Sequence, residues 1–369
     1  MIKRILQVPF KEAVSTNRIV LVQGPRNVGK RDFVEANIPS ENYLWIDCEE
    51  NRNANVILSS IAGSNEIDFL VCEHAHLLED LQDLMLQALE GSIKQTIVVI
   101  CSFKPLIDPE LFEALQMEGL VFDFFAPTFY ETAQHFGMEK EGQLLEERLI
   151  YGTYPSVTED LEHAELTLRE LVQDVIITHF GPKDRVNKGD KLLRVMQLLA
   201  FRIGEPVTNN DIGERVGLDN ETVERYIDLL SDAFIVFKLP SFHSEKRYEL
   251  KKSFCVYFWD NGIRNALISN FNPSFLRDDI NELWRNYVIA ERLKWLRLNQ
   301  INSEVFFWRT HTRQQLDLLE LKGDTLTAYK TDWEKRKKVK FPKLFAEYYP
   351  NAKMTVLNKN TYLTTLSKK

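Results

Sequence analysis

The run Gly24-Pro25-Arg26-Asn27-Val28-Gly29-Lys30-Arg31 limits what this chain can fold into more than any other stretch. An apolar segment at 19–22 precedes it, and a helix-forming segment at 31–36 follows until Pro39 stops it. Strand, glycine-rich turn and helix in that order are the setting of a phosphate-binding loop. Glycines let the backbone curl so that successive N–H groups face phosphate oxygens, and the helix start adds partial positive charge. Lys30 offers a point charge to the β- and γ-phosphates of ATP or ADP. One position departs from the pattern. A Ser or Thr after the lysine would place its hydroxyl on Mg²⁺, but residue 31 is an arginine, a permanent cation with no lone pair for a metal.

Three more apolar bursts follow, at 43–47, 67–73 and 97–102, separated by helix-length amphipathic segments. That alternation predicts an α/β fold with a parallel sheet covered on both faces. Ligands in such sheets sit at the C-terminal strand ends, where Gly24, Glu73 and Ser102 would gather. In P-loop ATPases one strand ends in two carboxylates, the first holding Mg²⁺ and the second orienting the attacking water. Here the first position is Cys72, a poor magnesium ligand, and the second is Glu73. Glu73 is therefore the candidate catalytic residue, and Ser102 a candidate sensor of the γ-phosphate. A solvated strand-end glutamate and a turn-forming serine are the plain alternatives.

These residues resemble a known family: the bacterial and archaeal AAA+-type ATPases that carry a C-terminal domain of restriction-endonuclease-like fold. The family loop usually reads G-P-R-Q-V-G-K-T and its acidic strand ends in D-E. Gly119–Glu131, with Pro127, resembles the entry to the family's helical lid, and Tyr151-Gly152-Thr153-Tyr154-Pro155 resembles its Y-G-G-Y-P. Ser253–Arg264 resembles its K-x-Y-F-x-D-x-G-L-R junction. The resemblance implies a P-loop core at 1–127, a lid at 128–187, a winged helix-turn-helix at 188–250 and an endonuclease-like α/β domain at 251–369. It also implies a lid arginine that reaches nucleotide, for which Arg148, Arg169 and Arg185 are candidates.

The residues of the later segments bear on each expectation. Helical segments at 191–202, 209–216 and 220–230, then a strand at 234–237, follow the winged helix-turn-helix order. The would-be recognition helix begins Asp219-Asn220-Glu221-Thr222-Val223-Glu224-Arg225. Three carboxylates against one arginine suit an internal or protein contact better than DNA phosphates. In the last third, the order of helix, hairpin and strand suggests a PD-(D/E)XK nuclease fold. Its chemistry needs several carboxylates around Mg²⁺. Asp317 survives as a nuclease remnant, but the neighbouring position is Gln315, the later E-x-K reads Lys330-Thr331-Asp332, and the helix glutamate is Arg285. Nuclease activity is not expected.

Composition narrows the partners. A net charge of -8 excludes a chain whose whole surface sheathes nucleic acid. One basic run, with Lys335, Arg336, Lys337 and Lys338, is the candidate nucleic-acid contact or else a solvated face. No apolar run is long enough to span a membrane. Gln7, Lys11 and Glu12 interrupt any signal-peptide core, so a cytoplasmic place is expected. Cys48, Cys72, Cys101 and Cys255 form no C-x-x-C pair and are expected as buried free thiols. The leading expectation is an ATP-binding AAA+-type protein with degenerate magnesium ligands, weakened or lost hydrolysis, and a protein partner or self-association. A working ATPase with unusual ligands and a non-catalytic scaffold or DNA-binding protein are the alternatives.

Overall fold

The structure is a computed structural model that describes residues 2–50, 52–61, 66–179, 188–242, 253–334 and 339–366. Arg185 and the basic run Lys335–Lys338 lie outside the described residues. The chain divides into two compact units: Met1–Pro127 with Leu298–Gln300, and Thr128–Arg297 with Ile301–Lys369. Among the described residues, no helix is long and apolar enough to cross a membrane.

The first unit is built on five parallel strands: β1 (Ile19–Gln23), β2 (Tyr43–Asp47), β3 (Phe69–Glu73), β4 (Thr96–Cys101) and β5 (Val121–Asp123). Their order across the sheet is β2-β3-β4-β1-β5. All five residues of β1 are buried, as are four of five in β3, because helices cover both faces and no position faces water. The connection leaving β1 runs toward β2 on one side, and the one leaving β4 runs to β5 on the other. Beyond the ends of such oppositely departing neighbours lies a crevice, which is where this sheet type receives ligands.

The second unit begins with five helices: Phe129–Phe136, Met138–Gln143, Leu145–Tyr151, Pro155–Glu159 and Ala164–His179. Thr128 and Glu131 close a capping box at the first of them. Helices Asp190–Phe201, Asn209–Val216 and Asn220–Asp232 follow, interleaved with three antiparallel strands in the order β6-β8-β7. These are β6 (Pro206–Val207), β7 (Val236–Pro240) and β8 (Phe254–Phe258). Thr208 and Asp219 start the second and third helices by capping them with side-chain oxygens. The long helix Ile280–Leu298 leads to β9 (Glu304–Arg309), β10 (Gln315–Lys322), β11 (Thr325–Thr331) and β12 (Lys353–Leu357). Those four form a sheet in the order β12-β11-β10-β9, antiparallel except where β12 runs parallel to β11. Trp308, Leu316, Leu319, Ala328 and Phe345 fill its core.

Two sequence motifs far apart in the chain meet inside this second unit. Asp260 caps the helix Asn261–Leu267 by accepting from the N–H groups of Gly262 and Ile263, and its other oxygen accepts from Thr153 N at 2.8 Å. Gly152, at φ +75°, lies so close that a Cβ would stand 1.9 Å from Asp260 Oδ1. Gly262 is equally confined, since its Cβ would stand 2.2 Å from the Tyr151 carbonyl oxygen. Asn265 donates to the Ile150 carbonyl at 2.8 Å. Burial pushes the Asp260 carboxyl above the usual range, against the pull of Lys294 and the three N–H groups. The Tyr151–Pro155 and Asp260–Arg264 motifs are thus two halves of one structural joint.

Candidate functional site

The glycine-rich run emerges from β1 at the C-terminal edge of the sheet. Gln23 pairs with Cys101 in register, and Gly24 N donates to the Cys101 carbonyl at 3.1 Å. Gly24 must be glycine, because a Cβ there would lie 1.9 Å from the Phe124 carbonyl oxygen. Asn27 at φ +59° and Gly29 at φ +86° turn the chain through the left-handed region twice. Asn and Gly are the residues that accept that conformation cheaply. Lys30 opens the helix Lys30–Glu35, and its Nζ folds back across the loop to donate to the carbonyls of Gly24 at 2.8 Å and Pro25 at 2.5 Å. Burial drops its pKa to about 7; Cys101 and Glu73 oppose the shift and Arg26 adds to it. The helix has six residues, so its dipole adds less than the loop and the lysine do.

The other cations of the run are paired with carboxylates at neighbouring strand ends. Arg31 donates from Nη1 to Glu73 Oε2 at 2.8 Å, and Trp45 Nε1 donates to the same oxygen at 2.8 Å. The Arg31 guanidinium also lies 4.8 Å from the Trp45 ring centroid. Arg26 Nη2 sits 2.5 Å from Glu49 Oε1. His74, itself at φ +54°, places Nδ1 2.9 Å from Asp47 Oδ1 and Nε2 4.0 Å from Glu49 Oε1. Asp47, Glu49 and His74 are the one trio of potential metal ligands among the described residues, with ligand atoms within 4.8 Å of one another. Arg26 already engages Glu49, and a hydrogen bond joins His74 to Asp47.

Magnesium does not fit the remaining positions. Arg31 stands where a hydroxyl would ligate it. Cys72, where the first carboxylate would be, is fully buried, and the Cys48 side chain together with burial pushes its thiol well above its ordinary range. A neutral thiol is no ligand for so hard a cation. All four cysteines are buried and free.

The structure therefore brings Gly24 to Arg31, Glu73 and Ser102 to one edge of one sheet. Ser102, just past β4, is buried, and its N–H points at His76 Nδ1 from 3.4 Å. Trp45 and Glu49 were not anticipated. Trp45 could have been found, since it shares a strand face with Asp47, which pairs in register with Glu73. Asp317 lies elsewhere, in the second unit. It accepts from Thr331 N at 2.8 Å and Thr331 Oγ1 at 2.9 Å, and Arg285 Nε lies 3.3 Å from its other oxygen. Glu320, on the same strand, is bound to Arg292 through two bonds of 2.8 and 2.9 Å.

The profile of a domain of unknown function (DUF8612) matches residues 142–274, the stretch that carries both halves of the Tyr151–Asp260 joint. The chain is 24% identical over 295 residues to an uncharacterized protein of Haemophilus influenzae, covering 73% of each. It is also 24% identical over 159 residues to an uncharacterized protein of Mycobacterium tuberculosis, covering 41% of this chain and 35% of that one. Among solved structures, the Walker-type ATPase PABY2304 of Pyrococcus abyssi is similar with a TM-score of 0.50 and 10% identity, over 73% of this chain and 96% of that chain. The RuvB Holliday junction branch migration motor of Thermotoga maritima reaches a TM-score of 0.33 at 17% identity, over 64% and 87%. With its five-stranded parallel sheet and the likeness to the Pyrococcus protein, the chain has the fold of a P-loop ATPase.

Proposed function

We propose that this chain is an AAA+-type ATP-binding protein that holds its nucleotide without the usual magnesium and hydrolyses it weakly or not at all. The observation that carries the reading is the buried Lys30 ammonium laid across a twice left-handed loop at the ligand edge of the sheet. Loop N–H groups and Lys30 would bind β- and γ-phosphate oxygens. Arg31 would supply the neighbouring positive charge that a metal supplies elsewhere. Arg31 and Trp45 both engage Glu73 Oε2, which leaves Oε1 as the oxygen that could accept a proton from water. ATP and ADP are both candidate ligands.

The same reading covers the second unit, with module boundaries near 127, 187 and 250. The helices following Thr128 would be the lid. The three helices and the β6-β8-β7 sheet would be a winged helix, its third strand β8 drawn from beyond residue 250. The β9–β12 domain would be an endonuclease-like fold whose surviving Asp317 serves structure. Buried free thiols suit a reducing cytoplasm.

Calorimetry with ATP tests the central claim. Binding should persist in excess EDTA, with an affinity no lower than in millimolar Mg²⁺. Affinity that vanishes with EDTA would count against Arg31 as the substitute cation. Absence of binding under both conditions would favour the scaffold alternative.

Lys30 makes a second expectation. Held near pH 7 as the loop stands, it rises toward its ordinary value beside a phosphate anion. Binding at pH 8 should therefore take up close to one proton per nucleotide, and binding at pH 6 far less. Affinity should fall as pH rises above about 7. Titrations in buffers of different ionisation enthalpy read the proton count directly.

A further inference from the structure

The Arg31–Glu73 pair is asymmetric. The Arg31 side chain is 55% exposed and Glu73 only 13%, so one partner can swing while the other is fixed by Trp45. An ion pair with one partner this exposed is weak. A terminal phosphate offers a guanidinium several charged acceptors and a two-pronged fit, which is a stronger bond. The position after the loop lysine is the one that faces the Mg²⁺ bridging the β- and γ-phosphates, so a cationic side chain there stands beside those oxygens. Glu73 and a γ-phosphate would thus compete for the same guanidinium.

We infer that Glu73 is a specificity-determining latch: Arg31 leaves it for the γ-phosphate, so the loop selects nucleoside triphosphates over diphosphates. This rests on the nucleotide reading above and adds its regulation. A diphosphate reaches Lys30 and the loop amides but gives Arg31 too little to leave Glu73. A triphosphate draws Arg31 across and leaves Glu73 with Trp45 alone. Opening the latch costs part of the binding free energy of every triphosphate, so removing its carboxylate strengthens triphosphate binding selectively. The partners named here come from three chain segments, on the helix after the loop, β2 and β3, and the exchange moves one long, exposed side chain without refolding any of them.

The test is calorimetry in EDTA with ATP and with ADP, on the full-length wild type, Glu73→Gln and Arg31→Ala. Wild type should prefer ATP by about tenfold or more, as expected for a charged hydrogen bond gained. Glu73→Gln should bind ATP roughly two- to fivefold tighter, the worth of a weak ion pair, with ADP changed less. Arg31→Ala should bind ATP no better than ADP. Unchanged or weaker ATP binding by Glu73→Gln, or an ATP preference kept by Arg31→Ala, overturns the latch while the nucleotide site stands. A folded wild type that binds neither nucleotide overturns the nucleotide reading and the latch together. Should Glu73→Gln fail to fold, the Arg31→Ala preference decides alone.

Discussion

Gly152→Ala should leave the protein largely unfolded or insoluble, with a stability loss of at least about 4 kcal/mol. Two costs combine. At φ +75° and ψ -157°, a region kept for glycine, an L side chain costs roughly 1–3 kcal/mol. The new Cβ would also stand 1.9 Å from Asp260 Oδ1. That oxygen cannot step aside freely, because Asp260 is buried and binds the N–H groups of Thr153, Gly262 and Ile263. Each charged hydrogen bond lost there is worth roughly 1.5–3 kcal/mol. Typical domains have only about 5–15 kcal/mol in total. Gly137→Ala is the control: φ is +92°, yet nothing lies within 4 Å of its Cβ. It should cost no more than the backbone term, about 1–3 kcal/mol. Urea denaturation of both variants decides the matter. Equal losses would mean that Asp260 is not the obstacle and that the joint is looser than its distances suggest.

Lys30→Met should move binding and stability in opposite directions. Loss of the ammonium removes two or more charged hydrogen bonds to phosphate, so ATP affinity should fall by roughly 10²–10⁴-fold. The protein itself should become more stable at neutral pH. In the folded chain burial holds Lys30 near 7, while in the unfolded chain it titrates at its ordinary 10.5. At and below about pH 7 the difference corresponds to about 5 kcal/mol against the folded state. Losing the bonds to the Gly24 and Pro25 carbonyls takes back about 1–2 kcal/mol each, or about 2–4 in total. A net gain of about 1–3 kcal/mol is expected, largest at and below pH 7 and fading as pH climbs toward 10.5. Urea midpoints at pH 7 and pH 9.5 test the sign. A variant that loses both stability and binding would show that Lys30 is a structural prop.

Much of this was legible in the chain. The loop, the strands at 43–47 and 97–102, and the burial of the cysteines follow from local patterns of apolar and turn residues. The run at 19–22 has no polar residue, so it reads as a covered strand. What stayed hidden depends on pairing at a distance. Arg31 looked like a lost metal ligand because the residue it meets, Glu73, is 42 positions away, and the sheet order that joins them is not written locally. Thr153 and Asp260 are 107 positions apart, and nothing in either motif shows that it is half of one joint. Arg285 replacing an acid was visible, but its approach to Asp317 needed the packing of a helix on a sheet.

Of the six tryptophans, only Trp45 belongs to the first unit; Trp259, Trp284, Trp295, Trp308 and Trp333 all fall in the second. Its indole carries a guanidinium on one face and a carboxylate on its N–H. Both neighbours alter the emission of an excited indole, and both change if Arg31 departs. The part of the tryptophan emission that changes with the loop thus comes from this one native side chain, with no label attached.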